Sequence, residues 1–302
     1  MPDKLEKTVA CFGEILWDIL PTGTKPGGAP MNVAYHLKKL GVNPLLITRV
    51  GLDDNGRRLI DLLGNAGIDT DYFQMDSTKE TGIVYAKPNE YGDVVYDIVY
   101  PTAWDFILME DEVKSLVRSS KYFVYGSLAA RNKISRDTLY ELLETANNRI
   151  LDINLRPPHY NKDTVSYLLS KAQTAKLNIA ELELISGWYG STKTTLERMQ
   201  FVQDRFDIET VIVTRGGDGA VVNFKGEIVE HPGFKVFVED TVGSGDAFLA
   251  AFIHALINRH SINDAVSAAC QLGAYVATKS GACPEYNSKD LETFLNFPGQ
   301  QG

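Results

Sequence analysis

Cysteine is scarce in this chain: Cys11, Cys270 and Cys283 are the only three in 302 residues. The number is odd, the spacing is wide and no CxxC pair occurs. That excludes a disulfide framework and a thiolate zinc site. The three read instead as small apolar residues of a reducing compartment. Positive charge is also short. Thirty Lys and Arg face 39 Asp and Glu, a net charge of −9. Nucleic acid needs a basic face, and an anionic membrane attracts polybasic segments, so neither partner is expected. A phosphate-bearing substrate must be met by local donors or a cation, because the overall field repels it. No run of 18 apolar residues occurs, and no Asn-x-Ser/Thr site. The first residues, MPDKLEKTVACFGEIL, lack the apolar stretch of a secretion signal. A cytoplasmic location is expected.

What is present is alternation. TVACFGEIL reads as an opening strand, and PMNVAYHLKKLG as a helix with Pro near its start and Gly at its end. PLLITRVG is a strand and DNGRRLIDLLGNAG a helix. Strand followed by helix, repeated, predicts a mainly parallel sheet covered by helices. Residues 81–101 break the rhythm with two β-rich runs and a polar turn at Gly92, an antiparallel hairpin that reads as a protruding flap. KYFVYG, RILDIN, TAKLNIA and ETVIVTRG then read as buried strands. SRDTLYELLETANN, KDTVSYLLSKAQ and TTLERMQFVQDRF read as helices, and two more close the chain at 247–258 and 262–278. The 302 residues are expected to form one domain with a β excursion.

The stretch DTVGSGDAF (240–248) places two bare glycines and a carboxylate before an apolar helix. Amides at a helix start lack intrahelical partners, and the helix dipole adds positive potential, so the start can hold an anion. Gly243 and Gly245 allow close approach to the backbone. An anion hole beside Asp246 is what phosphoryl transfer to an alcohol requires. A plain capped helix fits the same residues equally well. No GxxxxGK[ST] occurs, and Phe248 stands where a dinucleotide fingerprint needs its third glycine. A second pair of glycines, in GGAPMN (27–32), also precedes a helix, with Asn32 in its first turn; alone it reads as a turn plus Pro.

Together these stretches carry a resemblance. GGAPMNVAYHLKKLG followed by DTVGSGDAF is similar to the ribokinase-like sugar kinases of the phosphofructokinase B type. GEILWDILP, TRVGLDDNGRRL, DINLRPP, NIAEL, VTRGGDGA and ATKSGA fall in that family's order, so the resemblance spans nearly the whole chain. It implies a three-layer α/β domain with a mostly parallel twisted sheet and a small β lid from about 14–24 and 81–103. It implies an ATP- and magnesium-dependent sugar kinase, with a monovalent cation such as potassium near 277–288 as a further candidate.

The resemblance also implies roles. Asp246 becomes the catalytic base, and Gly243, Ser244 and Gly245 the anion hole. Asp18, Gly27, Gly28 and Asn32 become sugar contacts; a carboxylate suits hydroxyls because it only accepts. Arg156 either faces the acceptor or forms a salt bridge under the sheet. Asn178 and Glu181 match an NxxE element that orders magnesium through water. Thr214, Gly217 and Gly219 match the nucleotide-side loop, and Cys270 with Gln271 the base side, although core packing suits Cys270. His159 is expected to be structural. GGAPMNVA, DINLRPP and YPTAWDFI resemble fructokinases most, while His159-Tyr160 departs from their usual Leu-Trp. Fructose, phosphorylated to fructose 6-phosphate, is the expected acceptor. 2-Keto-3-deoxygluconate, then ribose or a nucleoside, are the alternatives. The apolar runs of the flap predict a homodimer clasped through the lid.

Overall fold

The run TVACFGEIL does not remain one strand. Gly13 takes φ 141°, and a Cβ there would lie 2.9 Å from Pro30 and 3.1 Å from Ala129. The chain turns at this glycine, so that β1 (Thr8–Phe12) and β2 (Leu16–Leu20) enter different sheets. This computed structural model describes residues 8–21, 23–88, 94–190 and 194–295; the hairpin turn at Gly92 lies outside them.

After β2 come β3 (Gly23–Gly27), α1 (Ala29–Lys39), β4 (Asn43–Gly51), α2 (Asp54–Asn65) and β5 (Phe73–Asp76). The hairpin β6 (Gly82–Pro88) and β7 (Val94–Ile98) follows, then α3 (Asp111–Ser119), β8 (Tyr122–Gly126) and α4 (Lys133–Leu143). Next are β9 (Arg149–Asp152), α5 (Lys162–Lys171), β10 (Thr174–Asn178), α6 (Ile179–Gly187) and α7 (Thr195–Phe206). The chain continues through β11 (Thr210–Thr214), β12 (Ala220–Phe224), β13 (Glu227–His231), α8 (Ser244–Ile257), α9 (Ile262–Ala277) and α10 (Ser288–Leu295). The helix expected from 247 thus begins at Ser244, which puts Asp246 inside its first turn.

The large sheet has nine strands in the order β13-β12-β11-β10-β9-β8-β1-β4-β5. It is parallel from β11 to β5, and β12 and β13 add as an antiparallel edge. All five residues of β1 are buried, because side chains alternate between two covered faces. Ala10 and Phe12 pack with residues of α3 to α7, including Leu139, Leu168, Ile185 and Val202. Val9 and Cys11 pack with α1, α2 and α8, through Met31, Leu59 and Leu249. Burying side chains of this size removes roughly 1.5–3 kcal/mol each from water-exposed cost, and this two-faced demand is why Val9, Ala10, Cys11 and Phe12 of β1 are apolar. Cys11 and Cys270 are buried and unpaired. No helix among the described residues is long and apolar enough to cross a membrane.

The small sheet is ordered β3-β2-β6-β7. Its β2–β6 pairing is parallel and the other two are antiparallel, including the expected β6–β7 hairpin. It stands over the ends of the large sheet's parallel strands, and a cavity of about 510 Å³ lies between them, lined from the small sheet by Leu16, Asp18 and Tyr96 and from the large one by Asp152, Asn178 and Thr214. Crevices at the carboxyl ends of parallel strands are where α/β sheets bind ligands.

Candidate active site

Two helix starts meet in this cavity. At α8, Gly243 occupies the N-cap with φ 77°, and no side chain caps the helix. A Cβ on Gly243 would sit 2.5 Å from Ala282, so only glycine fits there. The first-turn amides of Gly245 and Asp246 have no intrahelical acceptor. Ser244 turns its hydroxyl away, donating to the Gly273 carbonyl at 2.9 Å, and its amide faces the Thr241 carbonyl at 3.3 Å. Asp246 Oδ2 accepts from Asn32 Nδ2 at 2.7 Å. Burial and the charge of Asp152 push the Asp246 carboxyl up to about 6, against the pull of Lys176, Asn32 and Arg156. A base poised near neutral pH is suited to proton transfer.

At α1, Gly28 is the N-cap with φ 116°, and a Cβ would lie 2.4 Å from the Glu14 carbonyl oxygen. The amide of Ala29 donates to Glu14 Oε1 at 3.3 Å. Glu14 is 2% exposed, and its Oε2 has no partner among the described residues. Burial pushes this carboxyl up to about 7. Glu14 lines the cavity although no motif marks it; its signal in the sequence is a carboxylate inside the apolar run FGEIL. Asp18, on β2, is pushed up to about 6 by burial, with Arg156 opposing. A Cβ on Gly27 would lie 2.2 Å from Asp18 Oδ2, so the bare backbone of Gly27 makes room for that carboxylate.

The floor is built by β9 and β10. Their register sets Lys176 opposite Asp152, and Lys176 Nζ donates to both Asp152 oxygens at 2.9 Å. Neither residue had been assigned a role from sequence. Asn178 and Glu181 form a capping box at α6. The two Glu181 oxygens accept the amides of Asn178 and Leu155, each at 2.8 Å. Arg156 borders the cavity, and its guanidinium makes no ion pair among the described residues, so of the two readings open to it, it faces the cavity.

The cavity thus gathers Asp18, Gly28, Asn32, Arg156, Asn178, Glu181, Thr214, Gly243, Gly245 and Asp246. Gly27, Ser244, Gly217 and Gly219 do not line it. Gly219 has a backbone reason of its own: with φ 77°, its Cβ would lie 2.0 Å from the His231 carbonyl oxygen. Cys270 packs into the apolar cluster of α8 and α9, and Gln271 donates to the Leu291 carbonyl of α10 at 3.0 Å. His159 lies apart, in a smaller pocket beside Tyr100 and Arg131. No cluster of three metal-ligating side chains occurs among the described residues.

Residues 9–289 match the family model for pfkB family carbohydrate kinases. The chain is 27% identical to the fructokinase of Klebsiella pneumoniae, over 92% of this chain and 96% of that one. A crystal structure of fructokinase from Vibrio cholerae O395, bound to fructose, ADP and calcium ion, superposes with a TM-score of 0.83 at 27% identity, covering 97% of this chain and 100% of that one. Aminoimidazole riboside kinase from Salmonella enterica superposes at 0.80 with 23% identity, over 96% of this chain and 100% of that one, a likeness of fold alone. The fold is ribokinase-like.

Proposed function

Because the chain belongs to the pfkB family of carbohydrate kinases and so transfers phosphate from ATP to a sugar, we propose that its acceptor is fructose, phosphorylated on a primary hydroxyl to fructose 6-phosphate. The observation that carries this is the charge of the cavity. Glu14, Asp18, Asp152, Glu181, Asp240 and Asp246 line it against Lys25, Arg156 and Lys176. Lys25 and Lys176 join Arg156, which sequence had offered as the sole cation, but Lys176 is held by Asp152 and Lys25 reaches Ser280 on the far loop. Glu14, Asp18 and Asp246 already resist ionisation. A second phosphate about 6 Å from such a carboxylate would cost on the order of 3 kcal/mol or more per contact. Sugar hydroxyls donate to carboxylates without bringing charge. The relatives named fructokinase support the same acceptor.

In this reading Asp246 takes the proton of the attacking hydroxyl, and Asn32 holds the carboxylate in place. The amides of Gly243, Gly245 and Asp246 receive the transferring phosphoryl oxygens, while Asp18 and Gly28 hold the sugar. Gly217 and Gly219 shape the nucleotide-side loop through backbone geometry, with Thr214 reaching the cavity. Magnesium fits here through water: both Glu181 oxygens already serve backbone amides, so Glu181 and Asn178 would order a hydrated ion. When bound, magnesium supplies positive charge to the phosphates. Potassium is the candidate monovalent cation where the 277–282 loop closes on 239–243, joined by Gly281 N donating to Asp240 Oδ2 at 3.0 Å; a potassium titration at fixed magnesium tests it. The small sheet serves as a lid. Its open edges β3 and β7 and the exposed Tyr85, Tyr96 and Tyr100 support a homodimer clasped there, which sedimentation at micromolar concentration tests.

Arg156 supports a second reading. An arginine facing the cavity without an ion pair among the described residues suits an acceptor with one carboxylate, such as 2-keto-3-deoxygluconate. ADP release measured across fructose, ketodeoxygluconate, ribose, nucleosides and fructose 6-phosphate decides. Fructose is expected to give the highest kcat/KM, and a sugar phosphate outrunning it would defeat the proposal. Arg156→Ala is expected to harm an acidic acceptor far more than fructose.

A further inference from the structure

Lys176 is a charged residue in the middle of a buried strand. It is 7% exposed, on β10, where Ala175 and Leu177 are fully buried. Two of its three N–H bonds go to Asp152, and the third meets no acceptor among the described residues. Its ammonium borders the cavity. A Cβ on Gly245 would stand 3.2 Å from Lys176 Nζ and 3.6 Å from its Cε, so the bare first turn of α8 leaves the ammonium uncovered from that side. Stability does not call for such a pair, because replacing a buried ion pair by apolar residues is often neutral or stabilising.

The surroundings give the charge a task. The phosphoryl group in transfer enters a cavity whose acids outnumber its bases, in a protein of net charge −9. Backbone amides at α8 supply partial charges only. We propose that Lys176 is a catalytic residue, held by Asp152 so that its free N–H donates to a non-bridging oxygen of the phosphoryl group as it passes Gly245. The inference rests on the reading that transfer occurs beside Asp246. In the step, the bond from phosphorus to the ADP oxygen breaks and the bond to the sugar oxygen forms. The hydroxyl proton goes to Asp246, and Lys176 keeps all three of its protons. Gly245 then has a second reason to be glycine: a side chain there would come between the ammonium and the phosphoryl group.

The test is a pair of variants, Lys176→Met alone and Lys176→Met with Asp152→Asn. Turnover is measured with the best acceptor of the sugar panel, ATP affinity by calorimetry and folding by thermal melting. Lys176→Met is expected to lower kcat by roughly 10²–10³, as for loss of one preorganised donor, with ATP affinity changed less than tenfold. The single variant leaves Asp152 buried and unpaired, so it risks misfolding. The double variant removes that charge and keeps the decision open. If the lysine only neutralises Asp152, the double variant recovers turnover to within a few-fold of wild type, and the proposal is overturned. If the lysine serves the phosphoryl group, the double variant folds and stays slow. An active wild type that collapses on Asp246→Asn, together with a fast double variant, overturns the role of Lys176 and leaves the sugar kinase reading intact.

Discussion

The starts of α1 and α8 are built alike and used differently. Most described helices begin with a side chain folded over their first amides: Asp53 at α2, Asn132 at α4, Asn161 at α5, Asn178 at α6, Thr194 at α7 and Ser261 at α9. Helices α1 and α8 instead have glycine at the N-cap and no side-chain cap, and both face the cavity. At α1 a resident acid, Glu14, already holds the first amide. At α8 no carboxylate among the described residues accepts a first-turn amide, and Asp246 accepts from Asn32 instead. At these two starts side-chain capping is absent beside the cavity, and the presence or absence of a resident carboxyl separates the two ends. In the proposed reading, the end supplied with its own carboxyl receives the neutral sugar and the end without one receives the phosphate.

The largest expected effect falls on the α8 side. Asp246→Asn is expected to lower turnover by roughly 10²–10⁴ while the melting profile and ATP binding persist; turnover within a few-fold of wild type removes Asp246 from its role as base. Next comes a matched pair. Gly243→Ala and Gly28→Ala each force a side chain into positive φ, at a cost of about 1–3 kcal/mol, and against Ala282 and the Glu14 carbonyl oxygen respectively, so each variant's melting profile is read beside its affinities. Gly243→Ala is expected to weaken ATP binding, and Gly28→Ala to raise the sugar KM. Loss of the same substrate's affinity in both variants would erase the distinction between the two helix starts. Glu181→Gln should raise the magnesium requirement by ~10–100-fold. It should also cost about 1–3 kcal/mol of stability, because an amide nitrogen would face the amide of Asn178 or Leu155. Superimposable magnesium titrations of variant and wild type would remove Glu181 from the metal site.

The smallest effect on turnover, and a readable one on stability, concerns Glu14. Its folded carboxyl titrates near 7 against an ordinary value of 4.5. The folded state therefore binds this proton more tightly than the unfolded chain does. The contribution to stability is complete below about 4.5 and is lost as pH rises through about 7, a change of roughly 2–4 kcal/mol. Glu14→Gln keeps an acceptor for Ala29 and has no proton to lose. Its melting temperature is expected to decline less than that of wild type between pH 5 and 8. Parallel pH profiles would show that Glu14 does not carry the effect.

The alternation of strands and helices, the hairpin at 82–98 and both glycine-led helix starts were legible in the sequence, because each rests on local pattern or local turn chemistry. Asp246, Asn32 and Asp18, picked out by ordered motifs, border one cavity in the structure. The break at Gly13 was not: its apolar flanks read as one strand, and only Pro30 and Ala129, distant in sequence, force the turn. TAKLNIA read as one strand, yet the strand ends at Asn178 and α6 starts at Ile179; that helix is short and largely apolar, with no helical face to mark the boundary. Lys176 and Asp152 were passed over because their pairing depends on strand register across 24 residues. Gly217 and Gly219 read as nucleotide contacts, yet neither lines the cavity, and the conformation of Gly219 is set by its packing against His231, which turn composition does not disclose.

The order of the large sheet bears on how the chain is made. Strand β1, drawn from residues 8–12, lies inside the sheet between β4 and β8. In the order of synthesis its neighbour β4 is made first, and its other edge has no partner strand until residues 122–126 are made. From that point growth is vectorial, since β8 to β13 add in sequence order to one side, each new strand covering the edge left by the last. A nascent chain stalled between β7 and β8 carries an apolar strand with one edge unpaired, the form most prone to stray pairing with a neighbour on the same message. The small sheet's four strands are all made by residue 98, so a chain stalled there has every strand of its second sheet and lacks β8 to β13 of its first.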